Sequence, residues 1–233
     1  MEEKKDSDLI KVIITEDGSP SLFHSGLNET YHSRHGALQE SQYVFIEKGL
    51  KQASTFHASL NVLEVGFGTG LNAWLTMSFA QEHQRNIHFT TLETAPLGEE
   101  IFSKLHFSNT YSKHSGDDFS RLHFALWDEA VPITTFFIIE KRKMAIQLFE
   151  STKKFDVIYY DAFGPPAQPE MWTPEIFAKL FSMMNDGGIF VTYCAKGQVR
   201  RDLEACGFIT ERLPGPPGKR EMLRATVPQF SSI

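Results

Sequence analysis

From residue 59 onward the chain alternates between short apolar runs and stretches where apolar residues recur every third or fourth position. Runs of about 4–8 residues bounded by turn residues read as buried strands, and the longer spaced patterns read as helices. Strands are thus predicted at 61–65, 87–92, 133–139, 155–160 and 189–193. Helices are predicted at 71–80, 97–105, near 144–149, from 173 to about 184 and at 198–205. The helix at 173 opens on Thr173-Pro174-Glu175, a capping hydroxyl with proline in the first turn, and stops at Asn185-Asp186-Gly187-Gly188. Two last strands, 208–213 and 221–226, flank the loop Pro214-Gly215-Pro216-Pro217-Gly218-Lys219-Arg220. Such alternation implies an α/β domain with a mainly parallel sheet covered on both faces and an antiparallel pair at one edge. Ahead of it, 10–14 and 21–24 read as strands around the turn Gly18-Ser19-Pro20, and 37–53 as an imperfect helix. The expected organisation is an N-terminal extension over 1–58 and a main domain over 59–233.

The chemistry concentrates where the first main-domain strand ends. Val62-Leu63-Glu64-Val65-Gly66-Phe67-Gly68-Thr69-Gly70-Leu71-Asn72 is an apolar run closing on a carboxylate and a glycine-rich turn before a helix. Glycines let a ligand approach the backbone N–H groups, and the following helix points its positive end into the same space. A dinucleotide fingerprint needs a third glycine at Leu71 and does not find it. Ligands in open parallel sheets bind beyond the carboxyl ends of strands, where strand order reverses. Glu64, Glu93 and Asp161 all fall at such ends. Glu93 suits a ribose diol, or else starts the helix after Pro96. Asp161 opens Asp161-Ala162-Phe163-Gly164-Pro165-Pro166, a stiff loop. A carboxylate there can hold an amine in line and take or relay its proton, or it caps the next turn. Phe163 offers a face for a base or a cationic sulfur.

Composition narrows the class further. The chain has 233 residues, 41% of them hydrophobic, which suffices for one sizeable core. No apolar run approaches the roughly 20 residues of a membrane-spanning helix. The charged start Met1-Glu2-Glu3-Lys4-Lys5-Asp6 reads as a disordered lead-in rather than a signal peptide, so a cytoplasmic location is expected. Cys194 and Cys206 form no disulfide framework or metal spacing, and His24, His32 and His35 have no second ligand pair, so no metal is expected. The formal net charge of −6 argues mildly against nucleic acid, yet Lys196, Arg200, Arg201, Arg212, Lys219, Arg220 and Arg224 gather late in the chain. Lys219-Arg220, on its Gly/Pro loop, is placed to grip phosphates. Lys141-Arg142-Lys143 reads as a solvated helix start, and Tyr31-His32-Ser33 as a polar lid over the pocket.

The motif Glu64-x-Gly66-x-Gly68-x-Gly70 resembles the first motif of Rossmann-like methyltransferases, which bind S-adenosylmethionine. With Tyr31-His32-Ser33, Glu40, Tyr43-Val44-Phe45, Asp161-Ala162-Phe163, Pro169-Glu170-Met171-Trp172-Thr173 and Gly218-Lys219-Arg220-Glu221-Met222-Leu223, the chain from about residue 17 to 226 resembles the methyltransferase half of the bifunctional MnmC-type tRNA wobble-uridine enzymes. The resemblance implies a class I, Rossmann-like methyltransferase with a seven-stranded sheet. It implies S-adenosylmethionine held by Glu64, Gly66, Phe67, Gly68, Gly70, Asn72 and Glu93, and Asp161 facing an aminomethyl group. It implies a substrate contacted by Tyr31, Ser33, Phe163, Trp172, Lys219 and Arg220, namely the wobble uridine of a tRNA anticodon stem-loop. The reaction implied is N-methylation of 5-aminomethyl(-2-thio)uridine to 5-methylaminomethyl(-2-thio)uridine. No second glycine fingerprint of a flavin oxidase half follows, so the aminomethyl precursor is expected from a separate enzyme. An acid expected near the adenine after the third strand is replaced in Glu140-Lys141-Arg142, unless Glu140 or Asp128 substitutes. The competing readings are an aminopropyltransferase of spermidine-synthase type and a non-catalytic tRNA-binding module of the same fold.

Overall fold

The computed structural model describes residues 9–55, 59–107 and 116–229. The lead-in 1–6 lies outside them. β1 (Ile10–Ile14), β2 (Pro20–His24) and β3 (Glu29–Thr30) form a small antiparallel sheet. One continuous helical rod follows: α1 (Ala37–Ser41), a π-helical stretch over Gln42–Leu50, and α2 (Lys51–Ser54).

The main sheet comprises β4 (Ser59–Val65), β5 (Asn86–Leu92), β6 (Ala130–Thr134), β7 (Phe137–Arg142), β8 (Phe155–Tyr160), β9 (Met184–Thr192), β10 (Ile209–Pro214) and β11 (Glu221–Thr226). Its order is β10-β11-β9-β8-β4-β5-β7-β6, eight strands where seven were expected. Strands β7, β5, β4, β8 and β9 run parallel, while β6 at one edge and the β10–β11 pair at the other are antiparallel. This is the mainly parallel sheet expected from the alternation, in the Rossmann-like arrangement that the resemblance implies. The order reverses at β4, whose neighbours β5 and β8 lie on opposite sides.

Two-residue periodicity divides the sheet between two cores. Val62, Val157, Tyr159 and Val191 face α3 (Leu71–Glu82) and the π-helical rod, together with Val44, Phe45 and Leu50. Leu63, Val65, Ile158, Tyr160 and Phe190 face α6 (Pro174–Ser182) and α7 (Gly197–Ala205) through Phe177, Leu180, Val199 and Leu203. Burial on both faces is why β8 is apolar at nearly every position.

Four expectations are corrected. The run at 133–139 is a hairpin, with β6 and β7 antiparallel and the Thr134 hydroxyl accepting from Phe136 N at 3.3 Å. No glycine or proline marks that turn, so the apolar run hid it. Residues 144–149 make isolated turns that bury Ile146 and Phe149 and leave Leu148 exposed. Residues 185–188 belong to β9, where Met184 pairs with Phe155 and Ile189 with Val157, so a bulge absorbs the turn-like residues. The helix at 97–105 contracts to α4 (Glu99–Phe102), while α5 (Gly116–Phe124) was not foreseen. Among the described residues no helix is long and apolar enough to cross a membrane.

Candidate active site

Register brings the predicted carboxylates to one edge. Val65 pairs with Leu92 on one side and Tyr160 on the other, so Gly66, Glu93 and Asp161 leave the sheet side by side. Gly66 N–H donates to Leu92 O at 3.0 Å, and Asp161 N–H to Val65 O at 3.0 Å. Gly66 has φ +96°, and a Cβ there would lie 2.9 Å from the carbonyl oxygen of Asp161. Gly68, at φ +48°, would push a Cβ to 3.2 Å from the Tyr31 ring. Both positions favour glycine for angle, and Gly66 requires it for space as well.

A cavity of about 410 Å³ opens at this edge. The loop residues Gly66, Phe67, Gly68 and Thr69 form its floor, with Asn72 from the first turn of α3. Glu93, Asp161 and Phe163 line it from the strand ends, and Tyr31, His32, Ser33 and Glu40 cover it from the N-terminal segment. Tyr31 meets Phe163 edge-on with ring centroids 5.0 Å apart. Met144, Ala145 and Ile146 give an apolar wall.

The carboxylates differ in environment. Glu93 accepts from Gly68 N at 2.9 Å, Thr94 N at 2.8 Å and Ala95 N at 2.9 Å, clamping the glycine loop to the end of β5. Asp161 accepts from Asn72 Nδ2 at 2.9 Å. Burial, then the charge of Glu40, pushes the Asp161 carboxyl well above the usual carboxylate range, against the Asn72 hydrogen bond and the Lys219 charge. Glu64 does not line the cavity. It is fully buried behind the loop, where Thr91 donates to it at 2.6 Å, and burial raises its pKa well above the ordinary value. The other Glu64 oxygen and Asn72 Oδ1 are buried without a hydrogen-bond partner.

Histidines fasten the loop from either side. His123 of α5 donates from Nε2 to Thr69 O at 3.0 Å and stacks on Phe102 at 4.3 Å. Burial lowers its pKa to about 4, so the ring is neutral at pH 7. His32 lies 3.0 Å from the Ser21 hydroxyl, and burial likewise lowers its pKa to about 4.

Several predicted residues stand elsewhere. Gly70 starts α3 just outside the cavity wall. Trp172 is buried beside Tyr160 and donates from Nε1 to Phe163 O at 2.8 Å, bracing the Asp161–Phe163 loop from behind. Lys219 turns inward, forming an ion pair with Glu40 and lying 3.8 Å over the Tyr193 ring centroid. Arg220 is exposed on the same loop, outside the cavity wall. Of the late basic residues, Arg200, Arg212 and Arg224 pair with Glu204, Glu221 and Glu211. Neither Glu140 nor Asp128 lines the cavity. Glu140 binds His88, Arg142 and Lys153, and Arg142 reaches Asp128 at 3.8 Å. Lys141 is no solvated helix residue, for it is 1% exposed and donates to His123 O near the C-terminus of α5.

Residues 123–228 match the family of S-adenosyl-L-methionine-dependent methyltransferases. Over that stretch the chain is similar to these methyltransferases. It is 28% identical over 235 residues to the tRNA 5-methylaminomethyl-2-thiouridine biosynthesis bifunctional protein MnmC of Cupriavidus metallidurans, a match covering 95% of this chain and 34% of that protein. The chain thus spans about a third of the length of the curated relatives it matches. In fold, it superposes on MnmC2 of Aquifex aeolicus with TM-score 0.74 at 24% identity, covering 99% of this chain and 74% of that one. Spermidine synthase of Thermotoga maritima gives TM-score 0.58 at 13% identity, covering 98% and 72%. S-adenosylmethionine fits the cavity: its floor is the backbone of the glycine loop, and at Gly66 the Asp161 carbonyl leaves no room for a side chain.

Sequence reasoning placed His32 in the lid, named Glu40 without giving it a role in the site, and missed Tyr193. Glu40 and Tyr193 reach it from the rod and from the chain beyond β9, so no local motif connects them to Asp161.

Proposed function

We propose that the methyltransferase N-methylates the primary amine of 5-aminomethyl(-2-thio)uridine at the wobble position of tRNA. The observation that carries the reading is Asp161, a carboxylate of raised proton affinity held by Asn72 at the cavity wall. The likeness to MnmC proteins across nearly the whole chain supports the tRNA substrate. In this reading Gly66, Phe67, Gly68, Asn72 and Glu93 hold the cofactor, with Glu64 and Gly70 shaping the loop from behind. S-adenosylmethionine supplies an electrophilic methyl group.

An alkylamine, with a pKa near about 10, arrives protonated and must shed a proton to attack. Asp161 accepts the ammonium in a charge-assisted hydrogen bond, and its raised proton affinity suits it to take or relay that proton. The nitrogen lone pair then forms the N–C bond as the methyl–sulfur bond breaks. Tyr31 and Phe163, in edge-on contact with each other, offer the uracil ring one joined aromatic surface, Ser33 adds a hydroxyl at the mouth, and Trp172 acts by bracing the Phe163 loop. Arg220 and Lys196 meet anticodon phosphates. A tRNA substrate places the reaction in the cytoplasm. The free amine has to be uncovered by an earlier reaction.

The deciding experiment is methyl transfer from labelled S-adenosylmethionine to tRNA lacking only this modification, followed by nucleoside mass analysis. A methylaminomethyl-uridine peak is expected. Cofactor binding without that product would send the search to other amines, polyamines first, and so to the spermidine-synthase-like reading.

A further inference from the structure

We propose that Lys219 makes the cavity selective for monoamines, its ammonium filling the place a second substrate ammonium would take on Glu40 and Tyr193. The inference rests on the amine-methylation reading and adds a selectivity residue to it. Four carboxylates line the cavity: Glu29, Glu40, Glu93 and Asp161. Glu93 is occupied by three backbone N–H groups. Glu40 is buried, with one oxygen accepting from Ser33 N at 2.6 Å and the other from the Lys219 ammonium. That ammonium also lies over the Tyr193 ring, whose hydroxyl donates to Ala162 O at 2.9 Å and so fixes the ring beside the Asp161 loop.

A carboxylate beside an aromatic face is the chemistry that recognises an alkylammonium. Lys219 is itself an alkylammonium, bound there intramolecularly. Glu40 and Lys219 both act on the proton affinity of Asp161, in opposite directions, so the two subsites are electrostatic neighbours. A diamine reaching Asp161 with one nitrogen would bring its other charge against Lys219. Without Lys219, Glu40 would remain buried and unpaired, a vacancy of matching charge. The Lys219 loop is pinned where this works by the Tyr43 hydroxyl donating to Pro214 O at 3.0 Å and by Gly215 N donating to Arg220 O at 3.1 Å.

The test uses putrescine as the probe, with calorimetric binding and labelled methyl transfer read separately. The wild-type protein should neither bind nor methylate it above background. Lys219→Ala should gain at least about tenfold in putrescine binding, the worth of one charge-assisted contact. Lys219→Gln, which keeps a neutral donor for Glu40, should gain in the same direction. Adding Glu40→Gln to Lys219→Ala should erase the gain. Equal putrescine binding by wild type and both Lys219 variants, or a gain that survives Glu40→Gln, overturns the proposal. Wild-type tRNA methylation, assayed in parallel, keeps the readings apart. Gained diamine binding without tRNA product rejects the tRNA substrate alone, and tRNA product without any diamine gain rejects the Lys219 role alone.

Discussion

At the residue scale the hydrogen bond from Asn72 Nδ2 to Asp161 opposes the burial and the Glu40 charge that raise the Asp161 pKa. Asp161→Ala should retain cofactor binding by calorimetry and lose about 10²–10⁴-fold in turnover. Turnover unchanged by that substitution would remove Asp161 from the proton path. Asn72→Ala removes a bond to the charged form, so the Asp161 pKa should rise and the acid limb of kcat/KM should move to higher pH. A profile superimposable on wild type would mean that Asn72 serves only the cofactor. Glu93 and Asp161 were legible beforehand because each directly follows a strand of clear apolar pattern, and strand ends collect ligands. Glu64 was legible as a loop neighbour only. Parallel pairing sets it opposite Thr91, and that cross-strand bond turns its carboxyl away from the cavity.

Between elements, the glycine loop and the β5–β7 seam carry the testable consequences. Gly66→Ala meets both a positive φ and the Asp161 carbonyl, so it should cost about 1–3 kcal/mol of stability. Thermal unfolding and cofactor titration should both report it, since the same contact spaces the loop from Asp161. Across the seam, Glu140 is buried, which alone would raise its pKa, but hydrogen bonds from His88, Arg142 and Lys153 lower it to about 2. Its stabilisation is therefore present above about pH 4.5 and lost as pH falls toward 2. Glu140→Gln should flatten the fall in urea midpoint between neutral pH and pH 3, and an unchanged slope would place the acid sensitivity elsewhere. Elements with a clean period, such as β8 and α3, were read close to their observed bounds. The β6–β7 hairpin was not, because Thr134, Thr135 and Phe136 carry no turn signal and pairing alone imposes the reversal. The turns at 144–149 deceived in the opposite sense, their apolar spacing mimicking a helix while two of the side chains anchor a loop to the core.

For the whole molecule the issue is how a chain of net charge −6 approaches a polyanion. Most of the late basic side chains are already paired, Lys219 in the cavity and three arginines on the surface. Arg220→Ala should reduce the slope of log tRNA affinity against log salt by roughly 0.7–0.9, the value of one phosphate contact. Lys219→Ala should leave that slope within error, since its charge faces Glu40 rather than solvent. Equal slope changes in the two variants would return Lys219 to the phosphates. Local periodicity and turn chemistry were enough to specify the alternating α/β chain, the glycine loop and two of the three strand-end acids at the cavity, because these depend on residues a few positions apart. The partnership of Glu40, Tyr193 and Lys219 joins the rod, the chain beyond β9 and the loop before β11. Only the folded sheet, by stacking those distant segments over one edge, turns a basic residue of a surface-like loop into a half-buried charge paired within the site.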